Sequence, residues 1–246
     1  MSKVVVITGG GNGFGKSLVQ AFLEKNWKVI TTYHSHSGEK NLKNIRNINL
    51  SYCYLDLAKD SSIKEFIDFI KNHVSTINCL VNNAATARYI GPILKVPIEN
   101  WNNILKENFI SQHSIILKLI NENLISENGS IINITSRAAT KPFNFLAPYG
   151  VSKAALETYT SYLANELREK SIRVNSVGLS ADTNLYRQHA QEKAQYGYMK
   201  TLERIGTEYM PPAGHSIYPV LFLASEKSRY ITGQHIEATT MEIPLA

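Results

Sequence analysis

Val4-Val5-Val6-Ile7-Thr8-Gly9-Gly10-Gly11-Asn12-Gly13-Phe14-Gly15 sets four β-branched residues directly before a glycine-rich turn. An unbroken run of that kind is the pattern of a strand covered on both faces in a parallel sheet. Behind the turn, Leu18, Ala21 and Phe22 recur at helical spacing, so the order is strand, glycine turn, helix. This order aims unpaired backbone N–H groups and the positive end of a helix dipole at one point, where a pyrophosphate binds. Taken alone, the loop also reads as a purely structural glycine turn.

The same alternation continues outward along the chain. Val29-Ile30-Thr31-Thr32, Ser51 to Leu55, Ile77 to Val81, Ile131 to Ile134, Ile172 to Val177 and Ile231 to Ile236 read as six further strands. Between them, Ile63, Phe66, Ile67 and Ile70 mark an amphipathic helix, with Ser62 and Glu65 as its capping box. Trp101, Ile104, Leu105, Ile115, Ile116 and Leu119 lie along one side of the next helix, and Ser152, Leu156, Leu163 and Leu167 turn another inward. A last helix runs through Val220, Leu221 and Leu223, with Ser216 as its N-cap and Pro219 in its first turn. The pattern predicts a single α/β domain: a doubly wound, seven-stranded parallel sheet with helices on both faces.

Composition narrows the function. The net charge of +6 comes from 26 Lys and Arg against 20 Asp and Glu. These are scattered along the chain without a basic run, which argues against nucleic acid and leaves a modest field favouring anionic ligands. Cys53 and Cys79 sit in apolar runs and read as buried free thiols. The seven histidines show no metal-ligand spacing, so no metal is expected. No apolar run is of membrane-spanning length and the N-terminus lacks signal-peptide sections, so a cytoplasmic location is expected.

Tyr149 and Lys153 stand four residues apart at the head of a helical segment, where a phenol and an ammonium become neighbours on one face. A nearby cation would lower the phenol's pKa towards catalytic use. In isolation the pair also fits a partly exposed helix surface. Ser136 lies thirteen residues before Tyr149 at the end of an apolar strand, as either a catalytic hydroxyl or a turn residue. Asn108 falls on the apolar stripe seven residues after Trp101, where a buried amide needs partners; nearby backbone is one candidate.

Thr8, Gly9, Gly13 and Gly15 in T-G-x-x-x-G-x-G, Asn82-Asn83-Ala84-Ala85 near N-N-A-G, and the Ser136, Tyr149, Lys153 set together resemble the short-chain dehydrogenase/reductase family. The likeness runs from residue 3 to about residue 235, and the chain is similar to the family's 3-oxoacyl carrier-protein reductases. It implies a Rossmann-type fold and an NADPH-dependent ketoreductase acting on an acyl-chain or polyketide-like ketone. Tyr149 would be the general acid, Lys153 its electrostatic support and the ribose contact, Ser136 the carbonyl donor, and Asn108 the fourth catalytic residue in a proton relay.

For the cofactor, the resemblance implies contacts from Gly9, Asn12, Gly13, Phe14, Gly15, Asn82, Ala84 and Thr183, with Asp56 at the adenine edge. No carboxylate ends the second strand; Thr32, His34 and Ser35 instead offer donors to a 2′-phosphate, which favours NADP(H) over NAD(H). Asn12 stands where many NADP-using relatives carry arginine or lysine. Residues 180 to about 213, with Tyr186, Tyr196, Tyr198 and Tyr209, would form a lid over substrate or merely pack against the body. Lys141 to Leu146 adds apolar bulk beside the reacting centre.

Three departures from the family pattern stand out: Ala85 for glycine, Val177-Gly178 without the usual proline, and Ala238-Thr239-Thr240-Met241 at the tail. Loss of the proline should relax the backbone there. An acyl carrier protein as partner would use basic residues such as Arg168 and Lys170, with Glu127 against it; a homodimer or homotetramer would form through the long helices. Two other readings stay open: an NAD-dependent sugar, polyol or alcohol dehydrogenase, and a dinucleotide-binding sensor without turnover.

Overall fold

β1 (Val4–Ile7) is hydrogen-bonded on one side to β2 (Lys28–Tyr33) and on the other to β4 (Ile77–Asn82), all three parallel. β3 (Leu50–Tyr54), β5 (Ile125–Ser136), β6 (Arg173–Leu179) and β7 (His235–Ala238) complete a seven-stranded parallel sheet. Its strand order is β3-β2-β1-β4-β5-β6-β7. The computed structural model describes residues 2–181, 183–197 and 212–238.

The β-branched runs are explained by two cores, one on each face of the sheet. Val4 and Val6 point into a cluster with Ile63, Phe66 and Ile70 of α3 (Asp60–His73) and Ile115, Ile116 and Leu119 of α5 (Ser111–Asn121). Leu163, Ala164 and Leu167, at the end of α6 (Ala147–Glu166), join them. Val5 and Ile7 point the other way, onto Leu18, Val19 and Phe22 of α1 (Gly13–Glu24) and Val220 and Leu223 of a short C-terminal helix. Alternation of period two thus buries every residue of β1, because both sheet faces are covered. Each core phenylalanine, such as Phe22 or Phe66, contributes about 3–5 kcal/mol against truncation to alanine.

Several local expectations change. His36–Lys43, for which the sequence reading gave no element, forms α2, capped by Ser35, whose hydroxyl accepts from Gly38 N at 3.1 Å. Ser62 is not a cap: α3 begins at Asp60, and the buried Ser62 hydroxyl accepts from Asp56 N at 3.0 Å. The terminal helix, α8 below, spans Tyr218–Leu223 with Pro219 in its first turn, whereas Ser216 belongs to the preceding 3-10 turn rather than the N-cap. The seventh strand starts at His235; Gly233 has a positive φ of 71° and turns the chain just before it. Cys79 is buried but Cys53 only partly so, and both are free thiols.

Two departures from the family pattern are accommodated by the backbone. Ala85 is not among the residues with positive φ, so no glycine is demanded there. Val177 pairs with Ile134 on one side and Ile236 on the other, so the missing proline leaves the strand in its ladder rather than relaxed. Of the tail, Ala238 ends β7, while Thr239, Thr240 and Met241 lie outside the described residues. No helix among the described residues is long and apolar enough to cross a membrane.

The strand order reverses between β1 and β4. In open α/β sheets the crevice beyond the carboxyl ends of the strands at such a reversal is where ligands bind.

Candidate active site

A cavity of about 600 Å³ opens above that reversal, lined at one end by the glycine loop and at the other by Ser136, Tyr149 and Lys153. The loop is held from below. Thr8 Oγ1 accepts from the N–H groups of Asn83 and Ala84, each at 3.0 Å, and Asn83 Nδ2 donates to Thr8 O and Gly9 O. Gly9 has a φ of 73°, the left-handed region that favours glycine. A Cβ on Gly15 would stand 2.2 Å from Gly9 O, so only glycine lets α1 start this close to the loop. The positive end of α1 therefore faces the cavity.

Asn12, Phe14, Ala84 and Thr183 line the cavity with the glycines, as expected. Asn82 does not: it is buried beneath, donating to Asn133 Oδ1 at 2.9 Å, while Asn133 donates to Thr160 Oγ1. This ladder steadies β4, β5 and α6, and its neighbour Asn83 faces the cavity instead. Asp56 is also absent from the lining; its carboxylate caps Ala58 N at 3.0 Å and pairs with Lys59 at 3.1 Å. Thr32, expected as a phosphate donor, is buried and accepts from Gly9 N at 2.9 Å, so it supports the glycine loop.

Tyr33, His34 and Ser35 remain at the cavity's far end. Asn12 Nδ2 donates to Ser35 Oγ at 3.2 Å, and Asn41 Nδ2 of α2 holds both Asn12 Oδ1 and Gly11 O. Asn41 gave no signal in the sequence, because α2 was not recognised. No Asp or Glu is found among the lining residues, whereas Arg137, Lys153 and Lys193 are. Glycine loop, helix terminus and cationic lining fit a dinucleotide phosphate chain.

β5 delivers Ser136 and α6 delivers Tyr149 and Lys153 to one wall. Ser136 Oγ accepts from Ala138 N at 3.2 Å and hydrogen-bonds the Tyr149 phenol, so it is turn residue and site residue together. Lys153 is buried, donates to Ile134 O at 2.8 Å, and stands 5.8 Å from the centroid of the Tyr149 ring. Burial pulls its pKa down to about 8, with the Glu157 carboxylate working against that fall. Burial likewise pushes the Tyr149 phenol up to about 12, opposed by the Ser136 hydrogen bond. The lowering expected from Lys153 is therefore not seen: the cost of desolvating a phenolate dominates.

Asn108 lies in a π turn (Lys106–Ile110) between α4 (Ile98–Leu105) and α5. Such insertions recur at functional sites. Its amide is fully committed: Oδ1 accepts from Thr86 N at 2.8 Å, and Nδ2 donates to Thr86 O at 2.8 Å and to Ser152 Oγ at 3.0 Å. Ser152 Oγ in turn donates to Tyr149 O at 2.7 Å. Asn108 does not line the cavity and reaches Tyr149 through Ser152.

The remaining wall belongs to α7 (Asn184–Ala194), the described part of the expected lid. Thr183 caps it, accepting from Tyr186 N at 3.1 Å. Tyr186, His189 and Lys193 line the cavity, whereas Tyr196 stacks on Phe145 at 4.7 Å and packs against the body. Tyr198 and Tyr209 lie outside the described residues. Phe143 and Leu146 supply the expected apolar surface. Sequence reading missed His189 and Lys193, although their spacing of four puts both on one helical face. Arg168 and Lys170, suggested for carrier-protein docking, stand at the other end of α6, roughly 28 Å from Tyr149 at 1.5 Å per helical residue.

A family model described as enoyl-(acyl carrier protein) reductase matches residues 9–239. The 3-oxoacyl-[acyl-carrier-protein] reductase of Salmonella typhimurium is 26% identical over 239 residues, covering 94% of this chain and 93% of that one. The serine 3-dehydrogenase of Rhizobium radiobacter is 29% identical over 177 residues, covering 72% and 71%. Among solved structures, a short chain dehydrogenase family protein from Francisella tularensis superposes with a TM-score of 0.84 at 28% identity, covering 97% of each chain.

Proposed function

The chain belongs to the short-chain dehydrogenase/reductase family of NAD(P)-dependent oxidoreductases, and from that premise we propose that it is an NADP(H)-dependent reductase of ketones, reversible towards secondary alcohols. The observation that carries this reading is the convergence of Ser136, Tyr149 and Lys153 on one wall of the cavity that the glycine loop closes. When bound, the nicotinamide supplies the hydride in reduction and accepts it in oxidation. Tyr149, with a phenol held up at about 12, rests protonated at neutral pH and gives its proton to the carbonyl oxygen. Ser136 donates to the same oxygen as charge develops on it. Lys153 would stabilise the phenolate left behind and contact the ribose hydroxyls. Asn108 is a positioning residue, acting through Ser152 and Thr86.

The glycine loop with Asn12, Phe14, Ala84 and Thr183 would hold the cofactor's phosphates and nicotinamide end. Preference for NADP(H) is supported by His34, Ser35 and the start of α2 at the far end of the cavity, with no carboxylate in the lining to repel a 2′-phosphate. The names of two relatives, a 3-oxoacyl reductase and a serine 3-dehydrogenase, share a reacting carbon at position 3 of an acid derivative. A 3-oxo or 3-hydroxy compound is therefore the substrate class proposed here.

The test pairs binding with turnover. NADPH at about a hundred times its dissociation constant should add roughly 2.7 kcal/mol to stability, with NADH needing higher concentration for the same melting shift. Tyr149→Phe should keep the NADPH-induced shift and lose turnover by about 10²–10⁴-fold. Loss of the shift for both nucleotides in the unaltered protein would refute the reading. Full turnover in Tyr149→Phe would remove the phenol from the mechanism.

A further inference from the structure

His189 and Lys193 occupy the cavity wall opposite Ser136 and are not explained by cofactor binding or proton transfer. His189 is 6% exposed and Lys193 7% exposed. The His189 ring meets the Tyr149 ring edge-on at 5.9 Å, so it borders the reacting carbon's position. One of its ring nitrogens bonds the Ala87 backbone, while Nε2 is buried without a partner among the described residues. Lys193, one helical turn farther, holds its Nζ 5.5 Å from the centroid of the Phe143 ring. No carboxylate among the described residues pairs with it, and none lines the cavity. Burial of an ammonium without a counter-charge is costly, and such a group persists where a ligand brings the charge.

We propose that the substrate is a short free oxo or hydroxy acid whose carboxylate is bound by Lys193, with the His189 ring bordering the reacting carbon. This deepens the ketone-reductase reading and rests on it. Tyr149 and His189 are adjacent, and Lys193, one helical turn farther along α7, lines the same cavity, which suits a short 3-oxo acid. Phe143 and Leu146 cover the aliphatic part. A neutral thioester of the same acyl group would leave the Lys193 ammonium buried and unpaired, which selects against it.

The experiment compares acetoacetate with ethyl acetoacetate as substrates of the NADPH-loaded protein. The unaltered protein should favour the acid over its ester at least about 30-fold in kcat/KM. Lys193→Met should collapse that ratio by roughly 30-fold or more, the usual consequence of removing one partner of a buried charge pair, mainly through KM of the acid. Lys193→Arg should restore much of it, which separates lost charge from lost folding. Calorimetry of acetoacetate binding in the presence of NADP⁺ reads the same contact without turnover and should show the same weakening. Preference of the unaltered protein for the ester, or a ratio unmoved in Lys193→Met, overturns the carboxylate assignment while leaving the reductase reading intact. No turnover of acid or ester, together with no stabilisation by either nucleotide, overturns the reductase reading and this assignment with it.

Discussion

Lys153 is pulled in two directions by its surroundings: burial drives its pKa down to about 8, and the carboxylate of Glu157, one turn along α6, opposes the fall. Glu157 Oε1 lies 3.5 Å from His235 Nδ1, and its own carboxyl is pushed up by burial and by Glu237, against the influence of the nearby Thr135 hydroxyl and the pull of His235. Glu157 thus sits behind the lysine as a positioning residue for its charge. Replacing Glu157 with Gln removes the opposing charge, so the Lys153 pKa moves further down and the ammonium is lost at lower pH. The alkaline limb of the kcat/KM profile should shift to lower pH, while activity near pH 6 changes least; an unmoved limb would dismiss Glu157 from the site. Tyr149, Lys153 and Ser136 were legible in the sequence because their spacing is local. Glu157, His189 and Lys193 were not, since what distinguishes them is burial, set by packing across α6, β7 and α7.

Among the elements, the π turn of Lys106–Ile110 shows how a distortion is stabilised by one side chain. Asn108 satisfies both backbone groups of Thr86, and so fixes the loop after β4 that carries Ala84 and Ala85 to the cavity. Asn108→Ala leaves the Thr86 N–H and C=O without partners, and an unsatisfied buried polar group costs about 1–3 kcal/mol. Urea unfolding should show a midpoint lowered by about that much with an unchanged slope, and turnover should fall with it because Ser152 loses its donor behind Tyr149. An unchanged midpoint would show that Thr86 finds other partners. The strands and main helices could be read from periodicity, since both sheet faces impose it. α2 could not: His36–Lys43 buries only Gly38 and Leu42, too few apolar positions to set a period. The Ser62 capping box failed for a related reason. Asp56 N claims the serine hydroxyl, and a tertiary hydrogen bond displaces the local motif.

Across the whole molecule, stability and function are separated along the strands. The two cores that flank the sheet are apolar and closed, whereas the crest at the carboxyl ends of the strands carries buried titratable groups that oppose folding. Such sites trade stability for activity. Lys153 gives this trade a sign and a window. Its folded pKa of about 8 lies below its ordinary value of 10.5, so between those pH values the unfolded chain binds a proton that the folded chain has released. Stability from this group therefore rises as pH rises from about 8 to 10.5, and below pH 8 the full penalty stands, about 3 kcal/mol. Tyr149, held up at about 12 from 10, acts oppositely and only above pH 10, where the unfolded phenol ionises first. Lys153→Met removes the first effect and leaves the second. Denaturation midpoints for the variant and the unaltered protein, measured at pH 7.5, 9 and 10.5, should show the variant's relative stability falling by up to about 3 kcal/mol across the series, whatever its sign at the start. Taking the difference cancels the surface lysines and Tyr149, which are common to both chains. A difference that stays flat from pH 7.5 to 10.5 would mean that Lys153 titrates alike in folded and unfolded chains, and the crest would then impose no charge-burial cost through this residue.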